Sequence, residues 1–240
     1  MLKIQNLTKK FGNFTAVDNL NLEIDKGTLF GFLGPNGAGK TTTIKMIVGL
    51  YSSTSGSIYI NNLNSNEFQA ETKKILAYIP DQPFIYDKLT GKEFLFFCGG
   101  LYHLPKEFIQ NKIKELIRLL KIGDWIDKRS EVYSQGMRQR LVIASAFLHD
   151  PQLIIIDEPM VGLDPQTAYI VKQVLKQKVE EGVTVFMSTH SLNIVEEICG
   201  RVGIINKGKL IYDGPIETLH KMKEEKNNNF EELFIELTSE

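Results

Sequence analysis

The run Gly34-Pro35-Asn36-Gly37-Ala38-Gly39-Lys40-Thr41 fits the pattern G-x-x-x-x-G-K-[ST]. An apolar stretch, Leu29–Leu33, precedes it, and helical periodicity follows over Lys40–Leu50. Strand, glycine turn and helix in that order make a loop that cradles phosphate. Glycines let the backbone N–H groups turn inward around phosphate oxygens. The helix N-terminus adds the positive end of its dipole. Lys40 is expected to reach the β- and γ-phosphates of a nucleotide, and the Thr41 hydroxyl to bind Mg²⁺. The pattern arises by chance in about 1 of 100 chains of this length. With the flanking strand and helix in place, a plain glycine turn is the poorer reading.

The same alternation recurs later. Leu153–Ile156 and Val183–Met187 are short runs rich in β-branched residues. Helical periodicity follows over Thr167–Glu181 and Leu192–Cys199. Strands buried on both faces of a parallel sheet read this way. Strand-then-helix repetition implies an α/β fold. The N-terminal stretches Leu2–Leu7 and Leu20–Ile24 alternate apolar and polar residues, as half-exposed antiparallel strands do. From about Thr90 to Asp150 there is no strand pattern. Pro105 instead opens a stretch with Ile109, Ile113, Leu116, Ile117 and Leu120 on one helical face. The expected architecture is a mainly parallel sheet with an N-terminal antiparallel β part and an inserted α-helical subdomain. After Asn227-Asn228-Asn229, read as a linker, Phe230, Leu233, Phe234 and Leu237 share one face of a C-terminal helix, read as docking on its own domain.

Composition narrows the function. The chain has 240 residues, 42% hydrophobic and 24% charged, which excludes a disordered or fibrous chain. Its net charge of −1 gives no electrostatic footprint for nucleic acid. No apolar run approaches the roughly 18 residues of a membrane helix. The N-terminus lacks a signal-peptide pattern. Cys98 and Cys199 have no metal-ligand spacing and read as free buried thiols of a reducing compartment.

Leu153-Ile154-Ile155-Ile156-Asp157-Glu158-Pro159 is a buried strand that ends in two carboxylates. Ligands sit at the C-terminal ends of parallel strands. Asp157 is placed to hold Mg²⁺ beside Thr41, and Glu158 to take a proton from an attacking water.

Shortly before that strand stands Tyr133-Ser134-Gln135-Gly136-Met137-Arg138-Gln139-Arg140. With it the chain resembles the ATP-binding subunits of ABC transporters, whose signature is L-S-G-G-Q. Ser134 and Gly136 are kept; Tyr133, Gln135 and Met137 differ. The resemblance covers Leu2 to Leu237 and is strongest to stand-alone ATPase subunits of bacterial exporter-type systems. It implies the P-loop NTPase (RecA-like) form of the fold. Residues 1–220 would be the ATP-binding domain, with the core at about 1–85 and 151–220 and the helical insert at about 86–150. Residues 221–240 would be a C-terminal linker and amphipathic helix.

The resemblance also assigns roles. Asn36, Gly37, Ala38, Gly39, Lys40, Thr41 and Thr42 would bind the phosphates of ATP. Phe11, in Lys10-Phe11-Gly12, would stack on adenine, with Val17 near it. Ser134 and Gly136 would bind the γ-phosphate of ATP held by an opposite subunit. Asp164, in Gly162-Leu163-Asp164-Pro165, would lie at that interface. His190, in Ser188-Thr189-His190, would contact the γ-phosphate. Mg²⁺ would be held by Thr41 and Asp157. The family has a glutamine ligand where this chain has Asp81, with Gln82 one residue later, and either could fill that role.

The implied protein is a Mg²⁺-dependent ATPase that powers a membrane transporter, an exporter by analogy. Its partners would be a polytopic membrane subunit on a separate chain and a second ATPase subunit, identical or different. It would lie in the cytoplasm, on the inner face of the cell membrane. The alternative is a soluble ABC-type ATPase acting on a non-membrane assembly.

Overall fold

A computed structural model describes residues 1–226 and 229–239. In chain order, β1 (Leu2–Phe11), β2 (Phe14–Ile24) and β3 (Leu29–Leu33) lead into α1 (Lys40–Ile47). Next come β4 (Ser55–Ile60), β5 (Leu63–Asn64), α2 (Gln69–Ile75) and β6 (Leu76–Ile79). Helices α3 (Gly91–Leu101), α4 (Lys106–Leu120) and α5 (Gln135–Phe147) follow. The chain then runs through β7 (Leu153–Asp157), α6 (Pro165–Glu180), β8 (Thr184–Thr189), α7 (Leu192–Ile198), β9 (Arg201–Asn206) and β10 (Lys209–Pro215). Helices α8 (Ile216–Lys226) and α9 (Phe230–Ser239) close it.

Two sheets result. One is antiparallel, in the order β2-β1-β4-β5. The other has the order β10-β9-β3-β8-β7-β6, parallel from β9 to β6 with β10 antiparallel at its edge. Side chains alternate across a strand, so β7 feeds two cores. Ile154 and Ile156 join the cluster that includes the helical insert, with Leu33, Val185, Met187, Leu116 and Phe147. Leu153 and Ile155 join the cluster between the sheets, with Phe30, Phe32, Phe186, Leu2 and Ile4. Phe186 lies 5.6 Å from Phe30 and 5.1 Å from Phe32, ring centre to ring centre.

Side-chain caps fix where the helices start. Thr90 and Glu93 form a reciprocal capping box at α3. Ser134 caps α5 by accepting from the Met137 N–H, and Asp164 caps α6 by accepting from the Thr167 N–H, with Pro165 in the first turn.

The first two strands run further than expected, to Phe11 and from Phe14. Register shifts after Ile4, Leu7 and Lys9 break the period-two alternation that makes a strand legible. In α9, Phe230 and Leu233 are buried in the main core, and Phe234 and Leu237 pack against it. Asn206 Nδ2 donates to the Thr238 carbonyl at 2.7 Å, tying this helix to β9. The linker expected at Asn227 and Asn228 lies outside the described residues. Burial pushes the thiols of Cys98 and Cys199 up to about 11 and about 12, so both stay protonated at neutral pH. Among the described residues no helix is long and apolar enough to cross a membrane.

Candidate nucleotide site

Strand register brings distant segments together. β3, β8, β7 and β6 are consecutive neighbours, parallel, and end on the same edge. Leu33 pairs with Thr189, Asp157 with Ser188, and Ile79 with Ile156. The glycine loop, the acidic pair, Ser188 to His190 and the Asp81 loop therefore emerge side by side. One cleft, about 400 Å³, is lined by Phe14, Ala16, Asn36, Gly37, Gly39, Lys40, Thr41, Thr42, Asp81 and Glu158.

The loop wraps its own lysine. Lys40 Nζ donates to the carbonyls of Gly34 (2.7 Å) and Pro35 (3.1 Å). Burial pulls the Lys40 ammonium below its usual range, and the nearby Glu158 and Asp157 carboxylates push the other way. A buried cation held by neutral carbonyls is set up to exchange them for phosphate oxygens. Gly39 closes the loop at φ +111°, and a Cβ there would stand 2.6 Å from the Ala16 carbonyl, so only glycine fits. No side chain caps α1, and its first turn holds no acid, which leaves the N–H groups of that turn directed at the cleft. Ala38 is the exception within the loop. Its side chain is buried and its N–H donates to the Pro35 carbonyl at 3.2 Å.

Asp157 is 1% exposed. Its carboxylate accepts from Thr41 Oγ1 at 3.2 Å and from Ser188 Oγ. Desolvation holds this carboxyl above the usual range, opposed by those two hydroxyls and reinforced by Asp81 and Glu158. A buried carboxylate partnered by hydroxyls rather than by a cation fits Mg²⁺, which takes hard oxygen ligands from one or two side chains and completes its shell with phosphate and water. Thr41 and Asp157 would hold it, and it would neutralise phosphate charge there.

Glu158 takes the left-handed conformation at φ +47°, uncommon for a non-glycine residue and typical of functional sites. Its carboxylate accepts from Thr189 Oγ1 at 3.2 Å and meets His190 Nδ1 at 2.9 Å. The half-exposed His190 ring thus reaches the cleft edge through Glu158.

Other expected residues fall elsewhere. Phe11 is not among the residues lining the cleft. Val17 is fully buried in the inter-sheet core beneath Gly39, where it supports the loop, and it is not among the residues lining the cleft. Gln82 is exposed but does not line the cleft; Asp81 does. Ser134, Gly136 and Asp164 form a second cluster. Asp164 accepts from the Thr167 N–H (2.9 Å) and hydroxyl (2.7 Å), bonds that hold its carboxyl below the usual range. A Cβ on Gly136 would stand 2.9 Å from Thr167 Oγ1, so glycine is needed for this close packing. Ser188, Thr189, Phe14 and Ala16 were not legible as site residues. For the first two the signal was long-range: Ser188 pairs with Asp157 across β7 and β8, and Thr189, next along, donates to Glu158.

The fold is that of a P-loop NTPase. Residues 17–161 match the profile of the ABC transporter family. The chain is 36% identical over 214 residues to the linearmycin resistance ATP-binding protein LnrL of Bacillus subtilis, spanning 89% of this chain and 69% of that protein. It is 37% identical over 213 residues to the SkfA peptide export ATP-binding protein SkfE of Bacillus subtilis, spanning 89% and 88%. A solved ATP-binding subunit of an ABC transporter superposes with a TM-score of 0.90 at 29% identity over 99% of both chains. A dimeric ATP-binding cassette in a post-hydrolysis state, bound to ADP and Pi, superposes with a TM-score of 0.81 at 27% identity, over 90% of this chain and 99% of that one. The chain belongs to the ABC transporter family, as an ATP-binding subunit and an ATPase coupled to transport.

Proposed function

We propose that the protein is the Mg²⁺-dependent motor of an exporter, working as a head-to-tail dimer on a polytopic membrane subunit carried by another chain. The observation that carries this reading is the Glu158 carboxylate, held by His190 and Thr189 on the wall of the phosphate cleft. In it, residues 1–85 and 151–220 are the ATP-binding core, 86–150 the helical insert, and 221–240 the linker and terminal helix.

Asn36, Gly37, Ala38 and Gly39 present backbone N–H groups to the β- and γ-phosphates, Thr42 adds its hydroxyl, and Lys40 leaves Gly34 and Pro35 for the phosphate oxygens. Ala38 must first release Pro35. Thr41 and Asp157 would hold Mg²⁺, with Asp81, which lines the cleft, better placed than Gln82 to add an oxygen. Glu158 accepts a proton from water as its oxygen attacks the γ-phosphorus. The bond to the β-phosphate oxygen breaks, and ADP leaves with that electron pair. His190 fixes the Glu158 carboxylate and faces the γ-phosphate. Phe11, 45% exposed, keeps its family role near the base, with Val17 packed beneath the loop.

Ser134, Gly136 and Asp164 lie apart from the cleft of their own chain. A second copy, facing the opposite way, would present them to the γ-phosphate. ATP favours that closed pair only through contacts made there, and phosphate release removes them. The dimeric ADP-and-Pi cassette of the same fold supports this arrangement.

Phe84, Tyr86 and Phe97 are 73%, 46% and 42% exposed and pack edge to face as one patch. Such a patch suits a membrane partner. Arg138 of α5 donates to Asp87 at 3.0 Å, and Ser130 Oγ to the Tyr86 carbonyl at 2.8 Å, so the patch is tied to the helix that Ser134 caps. The peptide-export role of the relative SkfE supports the direction of transport. Two assays test the reading together. Purified protein should release phosphate from Mg-ATP with no phosphorylated acceptor. The tagged chain should bring a multi-spanning protein out of detergent-solubilised membranes. Recovery of soluble partners alone would move the function to a non-membrane assembly.

A further inference from the structure

The family signature has glycine where this chain has Gln135, the first residue of α5. A glycine there ends at the backbone, whereas the glutamine reaches another loop. Gln135 Nε2 donates to the Val161 carbonyl at 3.1 Å. The same carboxamide packs on Gly162. A Cβ on Gly162 would stand 2.4 Å from Gln135 Nε2 and 2.7 Å from its Oε1, and Gly162 sits at φ +71°, so contact and backbone both require glycine. Fixing an exposed glutamine costs rotamer entropy, and here a bond and a close contact on one loop offset it. That loop begins at Glu158. The Val161 N–H donates to the Glu158 carbonyl and the Leu163 N–H to the Met160 carbonyl, each at 3.3 Å, so two successive turns lead from Glu158 towards Asp164. Gln135 grips them midway. Further along, Gly136 meets Asp164 and Thr167 by close packing, to which Gln135 adds a directional bond.

We propose that Gln135 is a positioning residue, which fastens the loop leaving Glu158 to the start of α5 through the Val161 carbonyl and Gly162. The inference rests on the paired-chain reading given above. In that pair Glu158 serves the ATP of its own chain, and the start of α5, with Ser134 and Gly136, serves the ATP of the other. Gln135 touches neither nucleotide. It acts by holding those two parts of one chain at a fixed spacing, so that both are in place when the pair closes. Small misplacements of reacting groups are costly, which is why one bond outside the cleft affects turnover.

The test uses Gln135→Gly, which restores the family's residue, and Gln135→Met, which keeps the length of the side chain and cannot donate. Three quantities are read: phosphate release at saturating Mg-ATP, the dissociation constant of the Mg-ATP pair in a Glu158→Gln background by analytical ultracentrifugation, and Mg-ADP affinity by calorimetry. Loss of one hydrogen bond of this kind corresponds to about a 2- to 12-fold change. Both variants should release phosphate more slowly and pair more weakly by about that factor, with Mg-ADP affinity unchanged. That split is one a merely stabilising bond would not produce. Release and pairing at wild-type levels in Gln135→Met would overturn the proposal. So would an equal loss of Mg-ADP affinity, which would mean that the variants disturb the chain's own cleft. Glu158→Gln protein with Gln135 intact that binds Mg-ATP and stays a single chain would sink the paired-chain reading and this proposal with it, a result distinct from the other two.

Discussion

Asp157→Asn separates what the site costs the fold from what it does for the ligand. The side chain keeps its shape and loses its charge. In the unliganded protein that charge is almost wholly out of water, and its two partners are hydroxyls. Removing a carboxylate from water costs several kcal/mol in a real protein. Two hydrogen bonds to a charged acceptor return about 1.5–3 kcal/mol each, and their neutral replacements about 0.5–1.5. The amide can accept from one hydroxyl and donate to the other, so neither is orphaned. The exchange loses about 2 kcal/mol of bonding against a larger relief of desolvation, a net stabilisation of about 1–2 kcal/mol. For a chain of this size that is a rise in Tm of about 2–8 °C. The pH dependence has a definite sign. The folded carboxyl lies above its unfolded value, so wild type binds its proton more tightly when folded. The wild-type deficit is full above the folded pKa, shrinks as pH falls through it, and vanishes below the unfolded value. With saturating Mg-ATP the order inverts. Ligand at about 100 times its Kd stabilises wild type by about 2.7 kcal/mol, and the variant should gain far less. Differential scanning calorimetry with and without Mg-ATP, at neutral pH and near pH 4, reads all of this. A lower Tm for the unliganded variant, or an undiminished Mg-ATP shift, would refute the reasoning.

Other perturbations probe separate parts of the account. Lys40→Ala removes the buried ammonium and its charge-assisted phosphate bonds, worth about 1.5–3 kcal/mol, so ATP should bind about 10- to 150-fold more weakly by calorimetry; unchanged affinity would count against the phosphate loop. Phe84→Ser lies on the surface at 73% exposure and should shift stability by less than about 0.5 kcal/mol, leave basal phosphate release intact and abolish capture of the membrane partner. Capture at wild-type yield would place the docking surface elsewhere.

Some of this was written in local pattern and some was not. The strand, glycine turn and helix around Lys40 were legible because each step uses a short-range rule: an apolar run, positive φ, an uncapped helix start. The parallel sheet was legible because Leu153–Ile156 and Val185–Met187 are continuous apolar runs within β7 and β8. Side-chain facing near the hairpin was not. Val17 pairs with Lys9 and Thr15 with Lys10, and the register shift between those pairs re-aims the strand, so Ala16 and Phe14 reach the cleft and Val17 is buried. The residues after β6 carry no periodicity, so the sequence leaves Asp81 and Gln82 as alternatives; in the structure Asp81 lines the cleft and Gln82 does not. Ser188 and Thr189 had no motif of their own beyond His190. Ser188 stands opposite Asp157 and Thr189 donates to Glu158, both long-range facts. For Ser134, Gly136 and Asp164 a single chain holds only half of the proposed arrangement.

The central claim is that two chains close around ATP and that Glu158 is what lets them open. Glu158→Gln keeps the side chain's size and removes the proton acceptor. The decisive measurement is size-exclusion chromatography with light scattering on this variant, with Mg-ATP and with Mg-ADP, beside a phosphate-release assay. The account predicts a mass of two chains with ATP, one chain with ADP, and phosphate release at least about 100-fold below wild type. A variant that hydrolyses ATP at the wild-type rate, or that binds ATP and stays a single chain, would contradict it.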